Sequence, residues 1–269
     1  MTVIRVPFHQ VDRLPDDSAP LPAGTPSVLV DPDLPALDLP GTDQWARLAA
    51  LHGAVADAVA AAVTGPAAPV VVVSGDCLVA LGTLAGAQRA GLDPGVVWFD
   101  AHGDVHTLAS SQSGYLGGMV LRMAVGGDPD RLAGPLGLRA LPEERAVLVD
   151  ARDLDDPEVA YLAGSAITRL AVEDVTADRL AAVLPQGPFV LHVDLDVVDP
   201  AELSGLLFPA PGGPAASDVL DAVRRALATG RVAVLDVACP WHPARDAAEA
   251  AVRADLVAHM LAAAGATGG

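Results

Sequence analysis

Two clusters of acidic residues and histidine carry the strongest chemical signal in the 269-residue chain. One cluster spaces Asp100, His102 and Asp104 two residues apart in "DAHGD", and the other pairs Asp194 with Asp196 in "DLD". Residues two apart point to the same side of an extended chain, so each cluster presents its side chains together. Several carboxylates in one place repel one another and would protonate unless a cation neutralises them. The pattern therefore indicates a site for one or two divalent metal ions.

The types of donor atom limit which metals suit such a site. Carboxylate oxygens with one or two imidazoles favour Mn²⁺, and Zn²⁺, Fe²⁺ or Co²⁺ are the alternatives. Two ions that share a bound water lower its pKa and so provide a hydroxide nucleophile at neutral pH. A single aspartate at the end of a strand is more simply explained as a helix cap. Two clusters of this kind favour the metal interpretation.

The elements that must position these clusters are apolar runs whose composition is typical of strands buried on both faces of a parallel sheet. The predicted strands are 3–8, 27–30, 69–73, 95–100, 146–152, 165–170, 189–197 and 231–239. Ligands bind beyond the carboxyl ends of the strands in such sheets, and both clusters lie at strand ends.

Ala- and Leu-rich stretches of helical periodicity separate the predicted strands. The predicted helices are 43–63, with Asp43 as N-cap, 77–90, 115–125, 176–184, 215–229 and 244–264. Alternating strands and helices predict a single three-layer α/β/α domain over residues 1–269 with a mostly parallel central sheet. We expect residues 14–40 to form a Pro-rich excursion and residues 265–269 a frayed tail.

The bulk composition limits the partners of the protein. The formal net charge is −18, and all 16 basic residues are arginine, which argues against nucleic acid and anionic membranes as partners. No segment resembles a signal peptide or a membrane span, and two cysteines are too few for a disulfide framework. We therefore expect a cytoplasmic protein with a small-molecule substrate.

Four motifs, "WFDAHGD", "SGYLGGM", "VDLDVVDP" and "VLDVACP", occur in an order that resembles the ureohydrolase family, which includes arginase, agmatinase and formiminoglutamase. The resemblance extends from residue 69 to residue 243. It implies an arginase-like fold, a binuclear manganese cluster at the strand ends, and a homo-oligomer, either a trimer or a hexamer.

The resemblance implies two overlapping sets of metal ligands. The first ion would be held by Cys77, Asp100, Asp104 and Asp194. The second ion would be held by Asp100, His102, Asp194 and Asp196. Cys77 stands where the family has a histidine, and a thiolate favours Zn²⁺ or Fe²⁺ more than imidazole does. The alternative is that Cys77 is a buried apolar side chain beside a site with fewer ligands.

Two departures from the family motifs bear on the substrate. Gly117 replaces a histidine that can shuttle protons, and Cys239 replaces a glutamate that grips the substrate guanidinium. Loss of that carboxylate removes a charge-assisted hydrogen bond to a cationic guanidinium. An N-hydroxyarginine-type or formimino substrate, or an amide, is therefore favoured over arginine, and Cys239 would still contact it.

The resemblance also suggests roles for residues near the clusters. Asp104 would hydrogen-bond the hydroxide and pass a proton to the leaving amine. His106 is a surface residue, a substrate contact or a substitute proton carrier. Ser113 and Asp155 match positions that hold the amino-acid end of the substrate, although Asp155 would equally serve as a helix cap. His9 follows the first strand and is expected on the same face.

These features predict a metal-dependent hydrolase of the arginase type that cleaves a non-peptide C–N bond of a guanidino, amidino or related compound. The metal-bridging hydroxide would attack the trigonal carbon. Loss of the shuttle histidine and the glutamate leaves an alternative, which is a catalytically silent metal-binding protein that acts as a partner or regulatory subunit.

Overall fold

The computed structural model describes residues 1–34, 43–63, 69–184 and 186–265. The strands in these ranges are β1 (Val3–Val6), β2 (Phe8–His9), β3 (Asp12–Arg13), β4 (Ser27–Leu29), β5 (Val70–Ser74), β6 (Gly95–Asp100), β7 (Ala146–Asp150), β8 (Thr168–Leu170), β9 (Phe189–Asp194) and β10 (Val232–Ala238). The α-helices are α1 (Gln44–Ala62), α2 (Val79–Arg89), α3 (Val120–Ala124), α4 (Asp156–Gly164), α5 (Ala177–Val183), α6 (Ala216–Leu227) and α7 (Ala247–Gly265).

Eight strands form one parallel sheet in the order β4-β1-β5-β10-β9-β6-β7-β8. All eight coincide with predicted strands, so that prediction is confirmed. The apolar runs are explained by burial on both faces. In β5, Val70 and Val72 join the core on one side of the sheet, while Val71 and Val73 join the core on the other side.

Helices cover both faces of the sheet. Buried side chains of α1 to α4 belong to one core, and those of α5 to α7 belong to the other. The predicted three-layer α/β/α architecture is therefore confirmed. As expected, Asp43 caps α1 by accepting a hydrogen bond from the backbone N–H of Ala46 at 2.8 Å. No helix in the described ranges is long and apolar enough to cross a membrane.

Helices α1 and α2 approach closely because α2 carries two glycines on the contact face. A Cβ atom on Gly82 would lie 2.7 Å from the carbonyl oxygen of His52, and one on Gly86 would lie 2.7 Å from that of Ala56. These distances are shorter than a Cβ atom tolerates, so only glycine fits at either position. The close contact fixes α2, whose N-terminus directly follows the loop that carries Cys77.

The structure differs from the sequence expectations in several elements. Helix α4 was not predicted, and the predicted helix 115–125 is a 3₁₀ turn followed by the short α3. Strands β2 and β3 form an unpredicted two-stranded antiparallel hairpin. Within the Pro-rich segment, residues 14–34 contain a 3₁₀ turn and β4, whereas 35–40 lie outside the described residues. Gly265 belongs to α7, and the rest of the expected tail, 266–269, lies outside them.

Candidate metal centre

The strand order brings the two clusters together at the carboxyl ends of neighbouring strands. Strands β6 and β9 are neighbours and end in Asp100 and Asp194, while Cys77 follows β5 on the far side of β10. Beyond these carboxyl ends lies a cavity of about 250 Å³. Its lining comprises Cys77, Asp100, His102, Asp104, His106, Ser111, Gln112, Ser113, Tyr115, Gly117, Gly118, Asp153, Asp155, Glu158, Asp194, Asp196, Phe208 and Pro240. All six predicted metal ligands therefore face one space.

One tight group of donors joins the two clusters. Nδ1 of His102 lies 3.1 Å from Oδ1 of Asp100 and 3.3 Å from Oδ2 of Asp196. Donor atoms of these three residues all lie within 4.8 Å of one another, the spacing of a metal site. Burial lowers the pKa of His102, but the hydrogen bonds to Asp100 and Asp196 outweigh it and raise that pKa to about 12.

The carboxylate of Asp100 is held by neighbouring donors. Trp98 Nε1 donates to its Oδ2 at 3.1 Å, and the backbone N–H of His102 donates to its Oδ1 at 2.7 Å. Burial opposes ionisation, but the hydrogen bond and charge of His102 outweigh it and lower the pKa of Asp100. The loop beyond β7 pins the strand end, since the backbone N–H of Ala151 donates to the carbonyl of Asp100 at 2.9 Å.

Asp104 and Asp194 are also buried, and the carboxylate of Asp194 accepts a hydrogen bond from the backbone N–H of Asp196 at 3.0 Å. Burial raises the pKa of both well above the usual range, and the charge of Asp100 adds to the effect. Asp104 Oδ2 is buried and has no hydrogen-bond partner among the described residues. Asp104 also has a φ of +54°, a left-handed conformation that aspartate tolerates better than most residues. A buried, unpaired carboxylate oxygen is costly, and a cation would satisfy it.

Cys77 is turned toward the same space. Its Sγ lies 3.7 Å from Oδ1 of Asp76 and 3.8 Å from the carbonyl oxygen of Gly117. Burial raises the pKa of the Cys77 thiol, and the charges of Asp104 and Asp76 raise it further. Asp76 stabilises the loop after β5, because its carboxylate accepts hydrogen bonds from the backbone N–H groups of Leu78 and Gln10 at 2.8 and 2.7 Å.

The residues present therefore fit a divalent metal centre. The donor set combines carboxylate oxygens with an imidazole and a thiol, which suits Mn²⁺, Zn²⁺ or Fe²⁺. It also contains a buried carboxylate oxygen that no described protein group satisfies. Cys77, Asp104 and Asp194 are not in the tight group, although the charges of the two carboxylates act on the Cys77 thiol.

A second group of potential ligand residues, His106, Asp155 and Glu158, also lines the cavity; Asp155 is exposed and the other two are buried. Nε2 of His106 lies 3.2 Å from Asp155 Oδ2 and 3.9 Å from Glu158 Oε2, and its Nδ1 lies 3.1 Å from Ser110 Oγ. Asp155 is also the N-cap residue of α4, and its backbone N–H donates to Oε2 of Glu158 at 3.1 Å. Asp155 therefore both caps α4 and lines the cavity. Ser113 is exposed at the rim.

Cys239, expected to contact the substrate, and the nearby Trp241 and His242 are not among the described lining residues of the cavity. Cys239 is 1% exposed. Burial raises the pKa of its thiol, and the charge of Asp194 adds to the effect. Trp241 is buried in the core that α5 to α7 cover, and its Nε1 donates to the carbonyl oxygen of Ser18 at 3.0 Å. His242 is exposed.

Sequence reasoning missed the aromatic wall of the cavity. The ring of Tyr115 stacks on His9 with centroids 5.9 Å apart and packs against Phe208 at 4.7 Å. His9, expected on the same face from its position after β1, contacts Tyr115 but is not among the described lining residues. Glu158 was also missed. The only sequence signal for it is its place three residues after Asp155, the spacing of a capping box.

Comparison with known proteins identifies the family. The arginase family model matches residues 29–263. Arginase from Eremothecium gossypii is 32% identical over 193 residues, 67% of this chain and 48% of that protein. The N(omega)-hydroxy-L-arginine amidinohydrolase of Streptomyces lavendulae is 34% identical over 134 residues, 49% of this chain and 47% of that protein. The aligned part of the chain thus spans about half the length of these curated relatives.

Solved structures agree with the sequence match. Arginase from Bacillus caldovelox superposes with a TM-score of 0.76 at 25% identity, covering 96% of this chain and 97% of that one. The family match includes β5, β6, β9 and β10, and hence all six predicted metal ligands. The chain belongs to the arginase family.

Proposed function

We propose that the protein is a binuclear metal-dependent hydrolase that cleaves a non-peptide C–N bond in a guanidino, amidino or related compound. One observation carries the proposal, which is the buried Oδ2 of Asp104, without a hydrogen-bond partner in the described part of the chain, inside a cluster of carboxylates at the ends of β6 and β9. Such a cluster is unfavourable without bound cations. Membership of the arginase family supports the same chemistry.

The proposal divides the six ligands between two ions. The first ion is held by Cys77, Asp100, Asp104 and Asp194. The second ion is held by Asp100, His102, Asp194 and Asp196. When bound, two such ions lower the pKa of a water and polarise the substrate. Mn²⁺ is the metal that the oxygen-rich donor set favours, and Cys77 adds affinity for Zn²⁺ or Fe²⁺.

The remaining chemistry is assigned to side chains of the cavity. Asp104 accepts a hydrogen bond from the attacking water and transfers the proton to the leaving nitrogen. This role is supported by its Oδ2, which has no hydrogen-bond partner among the described residues. His106, which also faces the cavity, is a second proton carrier whose ring Asp155 orients. Its ring is held from both sides, because Ser110 contacts the other ring nitrogen.

The cavity favours a substrate with a positively charged outer end. Asp153 and Asp155 are exposed members of its lining, Glu158 is a buried one, and the described lining contains no arginine. Asp155 would bind an ammonium group, and Ser113 at the rim would hydrogen-bond a carboxylate. An amino-acid end of the substrate satisfies both residues.

The reacting end of the substrate is proposed to be less basic than a guanidinium. Cys239 supplies a buried thiol, not a carboxylate, and lies outside the described lining, so any contact between Cys239 and the substrate requires the pocket to adjust. An N-hydroxyarginine-type or formimino compound therefore fits better than arginine. The similarity to a protein named N(omega)-hydroxy-L-arginine amidinohydrolase supports this preference.

A turnover panel tests the proposal. The purified chain, loaded with Mn²⁺ or stripped by a chelator, is assayed with N-hydroxyarginine, formiminoglutamate, arginine and agmatine for release of the amine product of C–N cleavage, which is ornithine, glutamate, ornithine and putrescine, respectively. We expect metal-dependent turnover, with arginine a poorer substrate than N-hydroxyarginine. Formiminoglutamate, which carries two carboxylates and no ammonium, tests the formimino alternative. No turnover of any compound by fully loaded protein would refute the hydrolase proposal and favour a silent metal-binding partner.

We also propose that this single-domain chain works in the cytoplasm as a homo-oligomer, a trimer or hexamer, as the family resemblance implies. Val28 and Leu29 on the edge strand β4 are 48% and 43% exposed, which supports a further contact there. Light scattering of the purified chain measures the assembly. A monomer at micromolar concentration would contradict the proposed assembly.

A further inference from the structure

Tyr115 occupies an unusual place in the cavity. Its ring is held between His9, stacked at 5.9 Å, and Phe208, packed at 4.7 Å. Its backbone N–H donates to Oγ of Ser113 at 3.2 Å. The ring is thus held by contacts to two separate parts of the chain and its backbone by a local hydrogen bond, which positions the phenol oxygen before any ligand arrives.

The phenol lies directly beside Gly117. A Cβ atom on Gly117 would lie 2.2 Å from Cε1 of Tyr115 and 2.7 Å from its phenol oxygen. The backbone of Gly117 in turn faces the metal ligands, because its carbonyl oxygen lies 3.8 Å from Sγ of Cys77. The end of the Tyr115 side chain therefore fills the space that any side chain at position 117 would need, next to the Cys77 end of the centre.

The surroundings of the phenol are anionic. Burial raises the pKa of Tyr115, and the charges of Asp76, Cys77 and Asp194 raise it further. Tyrosine already keeps its proton at neutral pH, since its ordinary pKa is about 10. The group that Tyr115 presents is therefore a neutral O–H, which is a hydrogen-bond donor.

The geometry points to Tyr115 as a further ligand-binding residue of the metal centre, whose phenol O–H donates a hydrogen bond to the substrate or anion bound there. This inference rests on the proposed function, since it assumes that the centre holds metal and a ligand. With the ring in this position, no side chain fits at position 117. Gly117 and Tyr115 thus depend on each other, because the Tyr115 ring occupies the space that a side chain at position 117 would need.

The test compares Tyr115→Phe with the wild type and with Tyr161→Phe, all loaded with Mn²⁺. Tyr161 is a matched control, because its phenol donates to Glu143 away from the cavity. Azide, a small anion that binds metal ions, is titrated by calorimetry. Loss of one hydrogen bond to a charged ligand corresponds to about 10-fold weaker binding or more. We expect this loss in Tyr115→Phe, unchanged binding in Tyr161→Phe, and equal Mn²⁺ content in all three.

A second variant tests the role of Gly117. In Gly117→Ala the new Cβ must displace the Tyr115 ring, so azide binding is expected to weaken as in Tyr115→Phe. Where the wild type turns over a compound of the panel, Tyr115→Phe should lower kcat more than it changes KM, because a fixed donor acts mainly in the transition state.

The outcomes separate this inference from the proposed function. Wild-type azide affinity in Tyr115→Phe would overturn the role of Tyr115, whatever the wild type hydrolyses. Weakened azide binding in the variant, together with a wild type that turns over no compound, would refute the hydrolase and keep the role of Tyr115. A wild type that binds no Mn²⁺ would overturn both.

Discussion

The indole Nε1 of Trp98 donates a hydrogen bond to Oδ2 of Asp100 at 3.1 Å, so a core side chain holds a predicted bridging ligand. Trp98 is itself fixed by stacking on His192, with ring centroids 3.7 Å apart. Loss of a group that orients a metal ligand typically costs about 10- to 100-fold in metal affinity. We therefore expect Trp98→Phe to bind Mn²⁺ about 10-fold more weakly by calorimetry.

Trp45→Phe is the control for this prediction, because Trp45 lies on α1 and packs against the core away from the cavity. Its Mn²⁺ affinity should equal that of the wild type. Equal affinity in Trp98→Phe would show that the hydrogen bond to Asp100 does not support the metal centre.

Cys77 is the proposed ligand that sets the metal preference of the centre. A thiolate is a softer ligand than imidazole, so Cys77→His should keep the metal stoichiometry and shift the preference from Zn²⁺ toward Mn²⁺. Cys77→Ala should lose metal, because one ligand is gone. Elemental analysis after loading with each metal measures both effects. Cys239→Ala is the matched control, since it removes the other buried cysteine. Unchanged metal content in Cys77→Ala would rule out ligation by the thiol.

The contact between α1 and α2 predicts opposite effects for two glycines. In Gly86→Ala the new Cβ would lie 2.7 Å from the carbonyl oxygen of Ala56, and overpacking of this kind costs about 1–3 kcal/mol. Gly53 on α1 has no atom within 4 Å of the corresponding Cβ position, so Gly53→Ala should gain about 1 kcal/mol of helix stability. Urea unfolding measures both free energies. A stabilised Gly86→Ala would contradict the close helix contact.

The burial of His52 predicts that the free energy of unfolding falls in mild acid. His52 is fully buried on α1, and burial lowers its pKa from 6.5 to about 4. Between these values the unfolded chain binds a proton that the folded chain does not, so the stability present above pH 6.5 declines as the pH falls toward 4. For these pKa values the decline from pH 7.5 to pH 5 is about 2 kcal/mol.

The variant His52→Leu should lack this part of the pH dependence. Urea unfolding at pH 7.5 and pH 5 gives the difference, and the comparison with wild type cancels the titration of the carboxylates common to both. His259→Leu is the control, because His259 lies exposed near the end of α7. A His52→Leu variant with the wild-type pH dependence would mean that His52 is not held neutral in the folded protein.

Much of the fold is predictable from the sequence because its determinants are local. The strands are continuous apolar runs, and a parallel sheet gathers their carboxyl ends at one edge, which is where Asp100 and Asp194 meet. Helix α4 was missed because its sequence, which begins at Asp156, is short and acidic and has no clear apolar stripe.

The aromatic part of the site was not predictable for a different reason. Tyr115 owes its position to His9 and Phe208, which are distant in sequence, and no local pattern encodes that contact. The position of Cys239 likewise depends on long-range packing. A motif match places it near a substrate, whereas the structure buries it outside the described cavity lining.

The metal content of the purified chain tests the central claim most directly. After loading with Mn²⁺ and removal of excess metal, elemental analysis should give about two ions per chain, as a two-metal centre requires. Asp194→Asn, which removes a predicted bridging carboxylate, should retain less than half of that metal, while the surface variant Asp221→Asn should retain all of it. One ion or none in the wild type, or full retention in Asp194→Asn, would contradict the binuclear centre.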